Sequence, residues 1–112
     1  MTVDVYMRYF RAECVYDGVR RRAAKVALTS ESENGKIRYF ASVTFFPHTD
    51  DEDFAVSCDA EASETLYEAA GRRSKKREEK LLGLLEPAVC RLAESLGGQV
   101  FWDEPIGEER RG

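Results

Sequence analysis

The chain has 112 residues, of which 43% are hydrophobic and 34% are charged, and its formal net charge at pH 7 is −4. This length supports one hydrophobic core and is too short for two, and the composition excludes a disordered chain. The acidic balance counts against a dedicated nucleic-acid-binding protein, because such proteins usually carry an excess of basic residues.

The start of the chain, MTVDVYMRYFRAE, has charges scattered through it and no apolar core, so it lacks the pattern of a signal peptide. No apolar run approaches the roughly 18 to 20 residues that cross a bilayer as a helix. We therefore expect a cytoplasmic protein that has no membrane partner.

Two long strands are predicted at the start of the chain from the alternation of apolar and polar residues. Residues 2–15 alternate, and the apolar positions change parity near Tyr9-Phe10, which predicts a β-bulge or a strong coiling of the strand there. Asp17-Gly18 is a hairpin turn signal, and residues 19–30 form the second predicted strand. Asn34-Gly35 is a stronger hairpin signal and leads into a third strand.

The third strand, residues 36–46, is the clearest element of the sequence. Its apolar face is continuous, and its opposite face carries Phe40 and Phe46 among smaller polar residues. A short strand over residues 54–58 is predicted next, followed by Asp59 as the N-cap of a helix.

Two helices are predicted in the second half of the chain. Residues 60–70 are rich in helix formers and end at Gly71, although a strand through residues 65–67 is the alternative. A long helix is predicted over residues 74–96, with a kink or break after Leu85 caused by Pro87. A short final strand over residues 99–102 closes the domain.

These elements predict an α+β fold. We expect an antiparallel sheet of four to five strands in meander order, with two helices packed on one face, in the chain order β-β-β-β-α-α-β. Residues 1–103 are predicted to form one globular domain, and residues 104–112 a flexible polar tail.

The sequence carries no pattern that is typical of an enzyme, a metal site or a cofactor site. Its one histidine, His48, lies in a loop after a proline, and the three cysteines are far apart in the chain, which favours buried thiols without a metal. No glycine-rich phosphate loop or zinc-protease motif is present. We therefore expect a non-catalytic protein without metal or cofactor.

One acidic run and two basic clusters are candidate binding sites. The acidic run consists of Asp50, Asp51, Glu52 and Asp53. The first basic cluster consists of Arg20, Arg21, Arg22 and Lys25. The second consists of Arg72, Arg73, Lys75, Lys76 and Arg77. Clustered carboxylates can imitate a phosphate backbone and bind the basic groove of a partner protein.

The second basic cluster stands at the start of a predicted helix, where the helix dipole repels cations. A bound anion would reverse that penalty, and the two clusters would form one positive patch if they met in space. The alternative is a solvated helix start that Glu64 and Glu68 neutralise.

Phe40 and Phe46 form a further candidate surface, because a sheet covered by helices on one side should be polar on the other. Tyr6 and Phe10 on the first strand are expected to join them. Aromatic residues there indicate a partner surface or a homodimer, and the alternative is a curled sheet or a helix that covers this face.

The most consistent function is binding to a protein partner, as an inhibitor or adaptor of a nucleic-acid-processing machine. A net acidic chain with local basic patches fits that class. The alternative is direct binding of nucleic acid through the two basic clusters.

Overall fold

The computed structural model describes residues 1–47 and 60–105. These residues form strands β1 (Thr2–Tyr16), β2 (Val19–Glu33), β3 (Lys36–Phe46) and β4 (Ala60–Ala70), helix α1 (Lys75–Ser95) and strand β5 (Gly98–Pro105). The five strands make one antiparallel sheet in the order β4-β3-β2-β1-β5. The predicted α+β class and the meander of the first strands are confirmed.

The predicted helix over residues 60–70 is wrong, and the alternative of a strand at residues 65–67 is confirmed, because the whole segment is strand β4. It pairs with β3 from Phe45 opposite Ala60 to Lys36 opposite Ala70, so it satisfies backbone groups that would otherwise form an open edge. Tertiary pairing here outweighs the helix propensity of alanine and glutamate. The described residues therefore contain one helix rather than two, while the predicted strand at 54–58 and the cap at Asp59 lie outside them.

The two hairpin turns are confirmed by their backbone geometry. Asp17 and Gly18 have φ values of 56° and 74°, and Asn34 and Gly35 have values of 53° and 76°. Two successive residues with positive φ are the requirement of the type I′ turn, which matches the twist of the flanking strands. Both turns set the long registers of β1 with β2 and of β2 with β3.

The predicted bulge in β1 exists but lies elsewhere. The register of β1 against β2 shifts between Asp4 and Tyr6, and again between Arg11 and Cys14, and not at Tyr9-Phe10. As a consequence, the Phe10 side chain lies on the helix-covered face. The centre of its ring is 5.1 Å from the centre of the Trp102 ring.

Helix α1 is continuous and does not break at Pro87. Ser74 caps its start, since the serine hydroxyl accepts a hydrogen bond of 3.2 Å from the Arg77 amide. Leu81 and Leu85 before the proline, and Val89 after it, are all buried against the sheet. This packing on both sides of Pro87 holds the helix together where one backbone hydrogen bond is missing.

The core lies between α1 and the covered face of the sheet. Its largest fully buried side chains include Tyr39, Phe45, Leu28, Val26 and Val89. Gly98 starts β5 beneath this core, and a Cβ atom there would stand 2.8 Å from Cζ of Phe45 and 2.9 Å from Cβ of Cys14.

We expect Gly98→Ala to destabilise the fold by about 1–3 kcal/mol, because an added methyl overpacks the contact with Phe45. Gly83→Ala is the matched control, since Gly83 lies in the exposed part of α1 with no atom within 4 Å of the added carbon. That control should stabilise the helix by about 1 kcal/mol. Thermal unfolding of both variants measures the expected loss and the expected gain of stability. An unchanged unfolding midpoint for Gly98→Ala would contradict the close packing at this position.

Candidate functional site

The face of the sheet opposite α1 is the principal candidate surface, and we call it the open face. Strand register places its side chains in rows across the sheet. The central ones are Met7, Tyr9, Lys25, Ala27, Thr29, Arg38, Phe40, Ser42, Thr44, Phe46 and Ser63. Within residues 1–47 and 60–105, no helix packs on this face.

Phe40 and Phe46 both lie on the open face and are partly exposed, as strand parity predicts. Tyr9 joins them, since its ring meets that of Phe46 edge-on at 5.9 Å. This contact spans β2 and covers the small side chain of Ala23. Tyr6 and Phe10 do not join them, because the bulge in β1 leaves Met7 and Tyr9 on this side.

Phe40 is held in place by its neighbours. The Arg38 guanidinium lies 4.5 Å from the centre of the Phe40 ring. The same guanidinium donates hydrogen bonds to Oε1 of Glu31 at 3.0 Å and to Oγ1 of Thr65 at 2.8 Å. Arg38 therefore fixes one aromatic group of the open face, and a rigid group loses little conformational freedom when it binds.

The first basic cluster is divided among several roles. Arg21 is buried and donates hydrogen bonds to the carbonyls of Tyr16 at 2.7 Å and Val19 at 2.9 Å, so it stabilises the β1–β2 hairpin. Arg20 forms an ion pair with Glu13 at 2.8 Å. Arg22 is exposed, and Lys25 lies on the open face between Tyr9 and Thr44.

The second basic cluster is partly committed to the fold as well. Arg73 forms two hydrogen bonds with the Glu78 carboxylate, and the Arg77 guanidinium lies 4.1 Å from the centre of the Tyr67 ring. Arg72, Lys75 and Lys76 remain exposed at the helix start.

The two basic clusters lie at opposite ends of the sheet. Arg22 is close to the end where Ala23 pairs with Phe46, whereas the helix start follows Ala70, which pairs with Lys36 at the other end. The eleven residue steps from Arg22 to Glu33 span roughly 35 Å of strand. The clusters therefore do not form one positive patch.

A buried polar network at the helix start was not foreseen from the sequence. Glu78 is only 8% exposed and accepts hydrogen bonds from the Tyr39 hydroxyl at 2.8 Å and from Nε of Arg73 at 2.8 Å. The Arg73 hydrogen bonds hold the pKa of the Glu78 carboxyl below its ordinary value. Glu78 shares the spacing of Leu81 and Leu85 on α1, and that spacing is the signal that could have revealed its burial.

The cysteines differ in exposure. Cys14 is 1% exposed, and burial raises the pKa of its thiol, so the unreactive protonated form is favoured. Cys90 is exposed, contrary to the prediction of buried thiols, and it lines a groove of about 400 Å³ between α1 and β5 together with Trp102.

The acidic run at residues 50–53, His48 and Cys58 lie outside the described residues. Among the residues that are described, no group of three or more histidine, cysteine or acidic side chains could hold a metal ion.

The described part of the chain contains no helix that is both long and apolar enough to cross a membrane. Comparison of the chain with protein-family models, with curated protein sequences and with solved structures finds no match.

Proposed function

We propose that this chain is a small non-catalytic domain that binds a protein partner through the open face. The observation that carries the proposal is the state of Phe40. This ring is partly exposed on a sheet face without a described helix over it, and Arg38 holds it in place. Aromatic residues and arginine are enriched at protein interfaces relative to the rest of a protein surface.

The role that fits the net acidic charge of the chain is that of an inhibitor or adaptor of a nucleic-acid-processing machine. The chain is net acidic, and its acidic run at residues 50–53 matches the basic grooves of such machines in sign. The alternative, direct nucleic-acid binding through two joined basic clusters, has less support. The clusters lie apart, and Arg21 and Arg73 bond within the domain.

The test is protein capture from an extract of the native host on immobilised wild-type chain and two variants. Phe40→Ser removes the central ring of the open face, and Leu84→Ser is the matched control, because Leu84 is an exposed apolar residue on α1. We expect proteins retained by the wild type to be retained by Leu84→Ser and lost with Phe40→Ser. A melting curve for each bait shows that it is folded.

Two results would contradict the proposal. One is equal capture by all three baits, which would place binding outside the open face. The other is a gel shift of nucleic acid that survives Phe40→Ser and is lost when Arg72, Lys75 and Lys76 become glutamine, which would favour the alternative function.

A further inference from the structure

We infer that the partner of the open face is a second copy of this chain, packed face to face about a two-fold axis, an inference that rests on the proposed function. The axis runs across the strands along the row of side chains that contains Ala27 of β2, Ser42 of β3 and Ser63 of β4, in which each residue pairs with the next across the sheet. These three side chains are small, and the row ends on β1 at the exposed Met7, which pairs with Ala27 and would face Met7 of the second copy.

The shape of the open face suits a copy of itself. Ala27 and Ser42 are buried at the floor, while Phe40 projects from the neighbouring row on one side and Tyr9 and Phe46 from rows on the other. Adjacent rows are about 7 Å apart along a strand. The face thus presents a furrow of small residues and ridges of large ones, and an isologous interface requires both on one surface.

The two-fold axis brings large side chains against small ones. Positions at equal distances on either side of Ser42 in β3 face each other across the interface. Phe40 of one copy therefore meets Thr44 of the other, and Arg38 meets Phe46, where the guanidinium can lie over the ring. Two sheets that pack at the usual separation of about 10 Å accommodate this arrangement.

The charges of the open face also suit a copy. The same axis places Lys25 of one copy opposite Thr29 of the other, and Thr29 is hydrogen-bonded to the Asp4 carboxylate at 3.2 Å. Each lysine thus approaches a carboxylate of the second copy, twice in the dimer. Because Arg38 is already paired with Glu31, the face carries both signs, and a partner of a single charge gains little from it.

The size of the face indicates a reversible dimer. The open face is four strands wide, and its length along the strands is the eight residue steps from Ala23 to Glu31. These two dimensions give a projected area of roughly 500 Å². The projecting rings raise the accessible area above that figure, towards the ~600 Å² per partner at the lower end of specific interfaces. Association should therefore depend on protein concentration.

The experiment is sedimentation of the purified full chain from micromolar to near-millimolar concentration. The wild type should approach twice the 12.7 kDa mass of the chain. Ser63→Lys and Ser63→Glu each place like charges beside the axis at an exposed position, and each should weaken dimerisation about tenfold or more. An equimolar mixture of the two variants should restore the dimer, because opposite charges then face each other.

Leu84→Lys adds a charge to the exposed side of α1 and should dimerise as the wild type does. A wild type that stays monomeric would overturn the inference, and so would a dimer that neither Ser63 variant weakens. Failure of the proposed function can be distinguished from failure of the dimer. If the wild type is monomeric and still captures other host proteins in a Phe40-dependent way, only the second copy is wrong. If capture is also absent, the proposed function falls with it.

Discussion

Replacement of Glu78 by glutamine should destabilise the fold by about 1–3 kcal/mol at neutral pH, the cost of leaving a buried hydrogen-bonding group without its partner. Glu78 binds Arg73 through both carboxylate oxygens and also accepts the Tyr39 hydroxyl. Glutamine offers one oxygen and no charge, so Arg73 loses its partner. Because the Arg73 side chain is 44% exposed, water compensates part of the loss, which keeps the cost below that of a fully buried pair.

The same variant should change the response to acid. Arg73 lowers the pKa of Glu78 in the folded state, so the ionised carboxylate stabilises the fold above the ordinary glutamate pKa of about 4.3. That contribution is lost as pH falls through the folded-state value. The stability difference between wild type and Glu78→Gln should therefore be largest at pH 7 and shrink in strong acid.

Urea unfolding at pH 7 and at pH 3 measures both effects. Glu79→Gln is the matched control, because Glu79 is the exposed neighbour on the same helix and its replacement should change the midpoint little. A difference between wild type and Glu78→Gln that is the same at both pH values would show that the carboxylate charge does not contribute.

Replacement of Phe45 by alanine should have the largest effect of any single change considered, a loss of about 3–5 kcal/mol. Phe45 is fully buried beneath α1, where its ring end lies close to Gly98. A loss of that size approaches the total stability of many small domains. We expect a chain that is partly unfolded at 25 °C, visible as a lowered thermal midpoint and a reduced near-ultraviolet signal.

Phe40→Ala is the internal comparison, because Phe40 lies on the same strand and faces the other way. Its ring is partly exposed, so the loss should be well under half of that for Phe45→Ala in dilute solution. Equal losses in the two variants would mean that the open face is covered in the isolated chain. The open face would then be core.

The strands and turns could be predicted because their causes are local. Asp17-Gly18 and Asn34-Gly35 adopt positive φ with little cost, and alternation separates Phe40 and Phe46 from the covered face. Residues 60–70 could not be assigned in this way, since their local preference is helical and the free edge of β3 decides otherwise.

The binding surfaces were predictable only in part, for the same reason. The alternation of side chains along β3 is enough to place Phe40 on the open face. Whether Arg22 and Lys75 share a surface depends on which ends of the sheet lie together, and that is decided by pairing between distant segments. The break predicted after Leu85 does not occur, because packing of the helix against the sheet outweighs the hydrogen bond that is missing at Pro87.

The position of β4 at the margin of the sheet has a consequence for how copies of the chain can polymerise. One edge of β4 pairs with β3, and the other edge has no partner strand among residues 1–47 and 60–105. Such a free edge is a template for strand-by-strand addition, which leads to fibres. Glu61 and Glu68 are exposed along it, so a second β4 that approached edge to edge would bring carboxylates against carboxylates. Addition of strands at this edge is thereby disfavoured, whereas the face-to-face dimer that we propose would end at two chains.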